Sequence, residues 1–177
     1  SRDKTASVTY KGESFSSFSD EYTGEVVIPS KVTYEGEEYS VTSIRYDAFN
    51  GCLSLTSITL PESVTWIGEG AFEGCSSLTS ITIPESVTSI GDYAFYECSS
   101  LTSITSMNAT PPSNVGDYPF DGVDKSIPVY VPKQSVEAYK SAEYWKDFTN
   151  IQGIDDITPI SDVVADSVSI RLIGNSL

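Results

Sequence analysis

Residues 52–68 read CLSLTSITLPESVTWIG and residues 75–91 read CSSLTSITIPESVTSIG, so the chain repeats itself with changes only at Leu53/Ser76, Leu60/Ile83 and Trp66/Ser89. The same step of 23 residues carries Cys52, Cys75 and Cys98, and with them Phe49, Phe72 and Phe95. Leu55, Leu78 and Leu101 keep it, as do Ile58, Ile81 and Ile104. Ile44, Ile67 and Ile90, with Val41, Val64 and Val87, complete the register. A fixed period of this length signals a solenoid, in which each coil buries its apolar face only against its neighbours. One coil alone buries too little to offset the ordering of its backbone, so repetition is what makes units this short stable.

Within a coil, LTSITI (Leu78 to Ile83) has the L-x-x-L-x-L spacing of a strand that turns its apolar residues inward and its Thr and Ser outward. Pro84 turns a corner, because it lacks an N–H for a continuing ladder. VTSI (Val87 to Ile90) is a second short strand, ended by Gly91. DYAFYECSS then returns the chain through a turn of helix or 3-10 helix that buries Ala94, Phe95 and Cys98.

Both ends depart from this pattern. Residues Gly24 to Ile44 alternate apolar and polar side chains around YEGEEY, a hairpin signal with Gly36 in the turn. Phe120 follows Phe95 by 25 residues, so the next coil is longer, yet Val129 follows Phe120 as Ile104 follows Phe95. Ser135 to Phe148 places Val136, Tyr139, Ala142, Trp145 and Phe148 at steps of three, which predicts one amphipathic helix with Ser135 as N-cap. The expected organisation is an N-terminal β cap over 1–40, then three regular coils and one longer coil over 41–132. A capping helix over 133–152 and an acidic tail over 153–177 follow, and SVSIRLIG in the tail has strand character.

The unit IPESVTSIGDYAFYECSSLTSIT (Ile83 to Thr105) resembles the BspA-type leucine-rich repeat of bacterial surface proteins, and Val129 to Ile151 resembles the ending such proteins carry. The resemblance covers about residues 24–152 and implies a right-handed, mostly β leucine-rich-repeat solenoid with short helical or 3-10 return turns. It also implies an exported protein, extracellular or on the cell surface, whose repeats bind host matrix proteins, other cells or glycans. The chain opens at Ser1-Arg2-Asp3, with neither a methionine nor a basic-then-apolar leader, and so reads as a processed product.

With 25 acidic and 10 basic residues the net charge is -15, which repels phosphate backbones and argues against a nucleic-acid partner. No apolar run reaches the roughly 18 residues of a membrane span, so direct membrane insertion is not expected. The chain contains no histidine, which removes Ser-His-Asp and Cys-His nucleophiles and imidazole metal sites. No phosphate-binding loop, dinucleotide fingerprint or C-x-x-C pair is present, and neither enzymatic activity nor a cofactor is expected. Glu62 and Glu85 occupy equivalent corners about 5 Å apart, near a glycosidase spacing, but any repeated surface residue acquires that spacing. Stacked cysteines come within reach of a disulfide, although buried thiols beside phenylalanine are the simpler reading. Asp117, Asp121 and Asp124 do not match the alternation of a calcium loop.

Binding residues are sought where the repeat breaks its own rule outward. Trp66 stands where sister coils have Ser43 and Ser89, and an exposed position there suits an interface anchor or a sugar-stacking platform. The other reading packs Trp66 against a neighbouring side chain or the tail. Tyr46, Tyr93 and Tyr96 decorate the return turns among Glu69, Glu73, Asp92 and Glu97, an acidic aromatic edge. The candidate binding set is therefore Trp66, Tyr46, Glu69, Tyr93 and Tyr96. Four rungs of about 4.8 Å by strands of about 20 Å give a face of roughly 400 Å², half of a usual interface side. A monomer that binds an extracellular protein weakly and gains avidity from many copies is expected, with glycan binding as the alternative.

Overall fold

Stacked coils require parallel strands in register, and the computed structural model, which describes residues 4–9 and 22–154, contains two such ladders. One runs through β1 (Thr5–Val8), β4 (Glu37–Ile44), β6 (Trp66–Ile67), β8 (Ser89–Ile90) and β10 (Asn114–Val115). The other runs through β7 (Ser80–Ile83), β9 (Ser103–Ser106), β11 (Pro128–Val131) and β12 (Asn150–Gly153). A separate pair, β2 (Gly24–Val27) with β5 (Leu55–Thr59), precedes the second ladder, and the Thr79 N–H to Thr56 C=O bond of 3.2 Å ties β5 to the coil of β7. Equivalent positions of successive coils face each other: Trp66 pairs with Ser89, Ile67 with Ile90 and Ile81 with Ile104. At the longer coil Ser89 pairs with Asn114, so the two extra residues are absorbed between strands.

The interior is built of ladders. Phe49, Phe72, Phe95 and Phe120 stack with centroids 5.1, 5.3 and 5.6 Å apart and planes within 8° of parallel. Tyr22 closes one end at 4.7 Å, and Trp145 and Phe148 close the other at 5.0 and 5.5 Å. Cys52, Cys75 and Cys98 are buried free thiols, and the Cys75 and Cys98 S–H groups donate to the carbonyls of Phe49 and Phe72, both at 3.1 Å. Thr65, Thr79, Thr88 and Thr102 each donate a hydroxyl to the carbonyl of the equivalent threonine one coil earlier, at 3.0 to 3.3 Å.

The described return turns contain no helix, contrary to expectation. In the first, i to i+3 bonds such as Asn50 N–H to Asp47 C=O (3.1 Å) alternate with bonds to the next coil. Asp47, Phe49 and Gly51 donate to Glu69, Ala71 and Glu73 at 2.8 to 3.0 Å, and the same alternation follows at Gly70, Phe72 and Gly74. A helix would turn every N–H back on its own coil; here every second one joins its neighbour.

The YEGEEY segment forms the hairpin of β3 (Lys31–Tyr34) and β4, with Glu35 and Gly36 both at positive φ (51° and 78°), as a two-residue turn demands. The single helix expected over Ser135 to Phe148 is instead broken. A 3-10 turn spans Lys133–Ser135, α1 spans Val136–Ser141, Ala142 is extended and a second 3-10 turn covers Trp145–Asp147. The break brings Tyr139 and Trp145, both fully buried, edge to face at 5.0 Å, and lets Trp145 reach Phe120. Ser135 occupies the N-cap position, but its hydroxyl donates to the Ala109 carbonyl at 2.6 Å and not to the helix. Residues 150–153, expected as the end of the capping helix and the first residue of the tail, form β12 and extend the sheet, with Ile151 opposite Val129. The strand expected in SVSIRLIG lies outside the described residues.

Candidate functional site

Trp66 sits at an outward position of β6, between Ser43 and Ser89. It is half-buried and packed against a neighbouring side chain, the second of its two readings: the small serines leave its flank open, and Tyr46 folds over it edge to face at 5.2 Å. Tyr46 remains 50% exposed, and the Arg45 guanidinium lies 6.0 Å from its ring centroid. Glu69 is exposed in Tyr46's register one coil further on.

Tyr93 and Tyr96 belong to a second cluster. Their rings meet at 5.7 Å, near perpendicular, while Tyr93 stacks on Tyr118 at 5.6 Å with planes 17° apart. Tyr93 and Tyr118 are 38% and 52% exposed. Tyr118 was not among the expected residues, although its step of 25 from Tyr93 is the step from Phe95 to Phe120 and marks the same turn position. Tyr144 also joins this edge, its hydroxyl donating to Asp117 Oδ1 at 2.9 Å. That bond to a carboxylate holds the Tyr144 proton, pushing its pKa up to about 12. The Tyr93 hydroxyl is also raised, first by desolvation and then by Tyr118, Asp117 and Asp92. Four of the five expected residues thus fall into two aromatic clusters, with no ring contact joining them among the described residues, and Glu69 belongs to neither.

The remaining polar groups have local partners. The Asn50 amide donates to Asp47 Oδ1 at 2.9 Å and to Glu73 Oε2 at 3.3 Å, and partial burial with the Asp47 charge raises the Glu73 carboxyl pKa. Glu62 and Glu85 are exposed at their corners. Asp124 accepts the Ser126 N–H and O–H, both at 2.8 Å, which lowers its pKa, while Asp117 serves Tyr144; the aspartates around Gly122 have separate tasks. Among the described residues no group of three or more Cys, Asp or Glu side chains is arranged to hold a metal ion, and no helix is long and apolar enough to cross a membrane. A cavity of about 400 Å³ lies between Pro111–Val115 and α1, walled by Pro112, Ala138, Ala142 and Tyr144.

Comparison with known proteins places this architecture. A leucine-rich repeat protein from Bacteroides ovatus ATCC 8483 is 35% identical, with a TM-score of 0.55 over 75% of this chain and 30% of its own. One from Bacteroides capillosus ATCC 29799 is 33% identical, with a TM-score of 0.54 over 72% of this chain and 86% of its own. A leucine rich cell surface protein from Faecalibacterium prausnitzii A2-165 is 26% identical, with a TM-score of 0.56 over 89% of this chain and 41% of its own. The chain thus spans less than a third of the Bacteroides ovatus protein. No curated protein matches it. The model of the BspA type leucine rich repeat region matches residues 16–142 in six copies, and the chain belongs to that family.

Proposed function

We propose that this chain is a non-catalytic binding module, displayed on a bacterial surface or secreted, that recognises proteins of a host or of neighbouring cells. The observation that carries this reading is the return-turn edge, where the half-exposed rings of Tyr46, Tyr93 and Tyr118 sit on a backbone tied to the next coil at every second residue. Rigidly held tyrosine gives contact area at little entropic cost, which suits recognition. The cell-surface protein of Faecalibacterium prausnitzii supports the location, and the absence of histidine supports a non-catalytic role. The reading includes the 23-residue unit as building block of a right-handed solenoid, with the β3–β4 hairpin and the segment after residue 132 as its caps. It also includes a monomer whose affinity per copy is low and whose avidity comes from display in many copies.

A second reading, glycan capture, is favoured by the Trp66–Tyr46 pair, an indole and a phenol meeting at 5.2 Å on the open sheet surface. A binding screen of the purified chain, monomeric and as a multivalent display, against extracellular matrix proteins and polysaccharides tests both. Protein hits that strengthen with valency support the first reading, and sugar binding lost on Trp66→Ala supports the second. Absence of any hit in the multivalent format overturns both.

A further inference from the structure

Four return turns among the described residues place different residues at one left-handed position: Asp47, Gly70, Tyr93 and Tyr118, at φ of 52°, 59°, 55° and 53°. Glycine takes this conformation without steric cost and aspartate tolerates it, whereas tyrosine there is strained. The chain nevertheless sets two tyrosines there in succession, stacks their rings at 5.6 Å, and leaves 38% and 52% of them in solvent. Packing does not require them, since Gly70 fills the same position in the coil before. Strain kept at an exposed position points to a surface the molecule uses.

The charge beside the stack has one sign. Asp92 and Asp117 are the ionised neighbours that act on Tyr93. Asp92 Oδ1 accepts the Asp117 N–H at 2.8 Å and Asp117 Oδ1 accepts the Tyr144 hydroxyl at 2.9 Å, which leaves the second oxygen of each carboxylate without a partner among the described residues. An aromatic face flanked by carboxylates attracts a cation more than a neutral ring.

The first coil carries such a cation within the chain, Arg45, 6.0 Å from the Tyr46 centroid. The residues in Arg45's register are Gly68, Gly91 and Gly116. A Cβ on Gly68 would stand 2.8 Å from Arg45 C and Tyr46 N, and one on Gly91 or Gly116 would run into the backbone at Glu69 or Asp92. The later coils therefore have no room for an arginine at that position, Tyr46's own register continues as Glu69, Asp92 and Asp117, and among the described residues no basic side chain is placed over the Tyr93 or Tyr118 ring.

We propose that the Tyr93–Tyr118 stack, flanked by Asp92 and Asp117, is a docking platform for an extended, arginine-bearing segment of a protein partner. The planar guanidinium lies on the tyrosine faces and donates to the open carboxylate oxygens, a geometry that the compact ammonium of lysine does not match. The proposal rests on the reading of the chain as a protein-binding module.

The test is titration of the full chain with a capped Gly-Arg repeat decapeptide and with its citrulline counterpart, which keeps the shape and loses the charge. The double variant Tyr93→Gly/Tyr118→Gly keeps the net charge and gives both positions the residue that Gly70 already has, so a cooperative melt is expected to persist. The arginine peptide is expected to bind at least about tenfold more tightly to the wild type than to the double variant. The citrulline peptide is expected to lose binding, and a capped Gly-Lys repeat decapeptide to bind more weakly than the arginine peptide. Equal affinity for wild type and variant would reduce the effect to the overall negative charge and overturn the proposal, as would tighter binding of the citrulline peptide or of a neutral oligosaccharide. A parallel arm with the chain on immobilised extracellular matrix proteins separates the two failures. Matrix binding unaffected by the double variant overturns the platform while the binding-module reading stands.

Discussion

The Asn108 side-chain amide donates to the Val87 carbonyl at 2.8 Å, the bond that Ser63 makes to Val41 and Ser86 makes to Val64 at 2.6 Å in the earlier coils. It also donates to the Glu85 carbonyl at 2.8 Å and accepts the Ser106 hydroxyl, which meets Tyr139 at 2.7 Å. One asparagine therefore couples the last regular coil to the C-terminal segment. Asn108→Ala strands two carbonyls and should cost about 2–3 kcal/mol in urea unfolding. Adding Ala109→Ser, which restores serine to the register of Ser63 and Ser86, should recover part of that loss; no recovery would mean that the contact with Ser106 and Tyr139 carries the effect.

Phe72 is fully buried between Phe49 and Phe95, at 5.1 and 5.3 Å. Truncating it opens a gap in the middle of the ladder, which the rigid coils on either side cannot close. Phe72→Ala is expected to lose about 3–5 kcal/mol, a large part of the stability of a chain this size. Tyr22→Ala, at the half-buried end of the same stack, should cost less, and equal losses at both sites would contradict a stack that is most deeply buried at its centre.

Burial pushes the Cys98 thiol pKa up to about 12 from 9.0, and raises Cys75 as well. Both should resist iodoacetamide at pH 8 in the folded chain and react readily in urea, as read by mass. Because the folded value lies above the unfolded one, the stability tied to neutral Cys98 is complete below about pH 8.5 and is lost as the pH rises toward 12. Cys98→Ala should flatten this alkaline decline in melting temperature. An unchanged slope would show that other groups, tyrosines foremost, govern it.

How far the amino-acid order foretells the molecule depends on which partner each residue meets. Ile67, Ile81 and Phe72 lie where the period puts them because their partners are their own equivalents one coil away, so the repeat itself encodes the contact. The C-terminal segment is different. Val136, Tyr139, Ala142, Trp145 and Phe148 have helical spacing, but Tyr139 answers to Ser106 and Trp145 to Phe120, and these distant partners override local propensity and break the helix. β12 escaped notice because NIQG carries one large apolar residue, Ile151, too few to show an alternating strand pattern. At the candidate site, Tyr93 and Tyr96 were legible as outward aromatic positions. Tyr118 became visible only once the two-residue insertion was carried through the return turn, and Trp66 could be read as exposed or packed because its cover, Tyr46, lies 20 residues away.

Tyr144 stands at positive φ (63°) and gives its hydroxyl proton to Asp117 Oδ1 at 2.9 Å, which links the C-terminal segment to the fourth return turn. The carboxylate favours the protonated phenol and raises the Tyr144 pKa to about 12. Asp117→Asn removes the charge and keeps the acceptor oxygen. Tyrosinate absorbance, followed by difference against the wild type, should show one tyrosine of the 11 titrating at lower pH in the variant, closer to the usual value of about 10. Measured against Tyr144→Phe alone, adding Asp117→Asn should leave little of this difference, because the phenol hydrogen-bonded to Asp117 is gone. A signal that survives Tyr144→Phe would assign the shift to another phenol beside Asp117, and Tyr93, whose pKa the same carboxylate raises, is the first to examine.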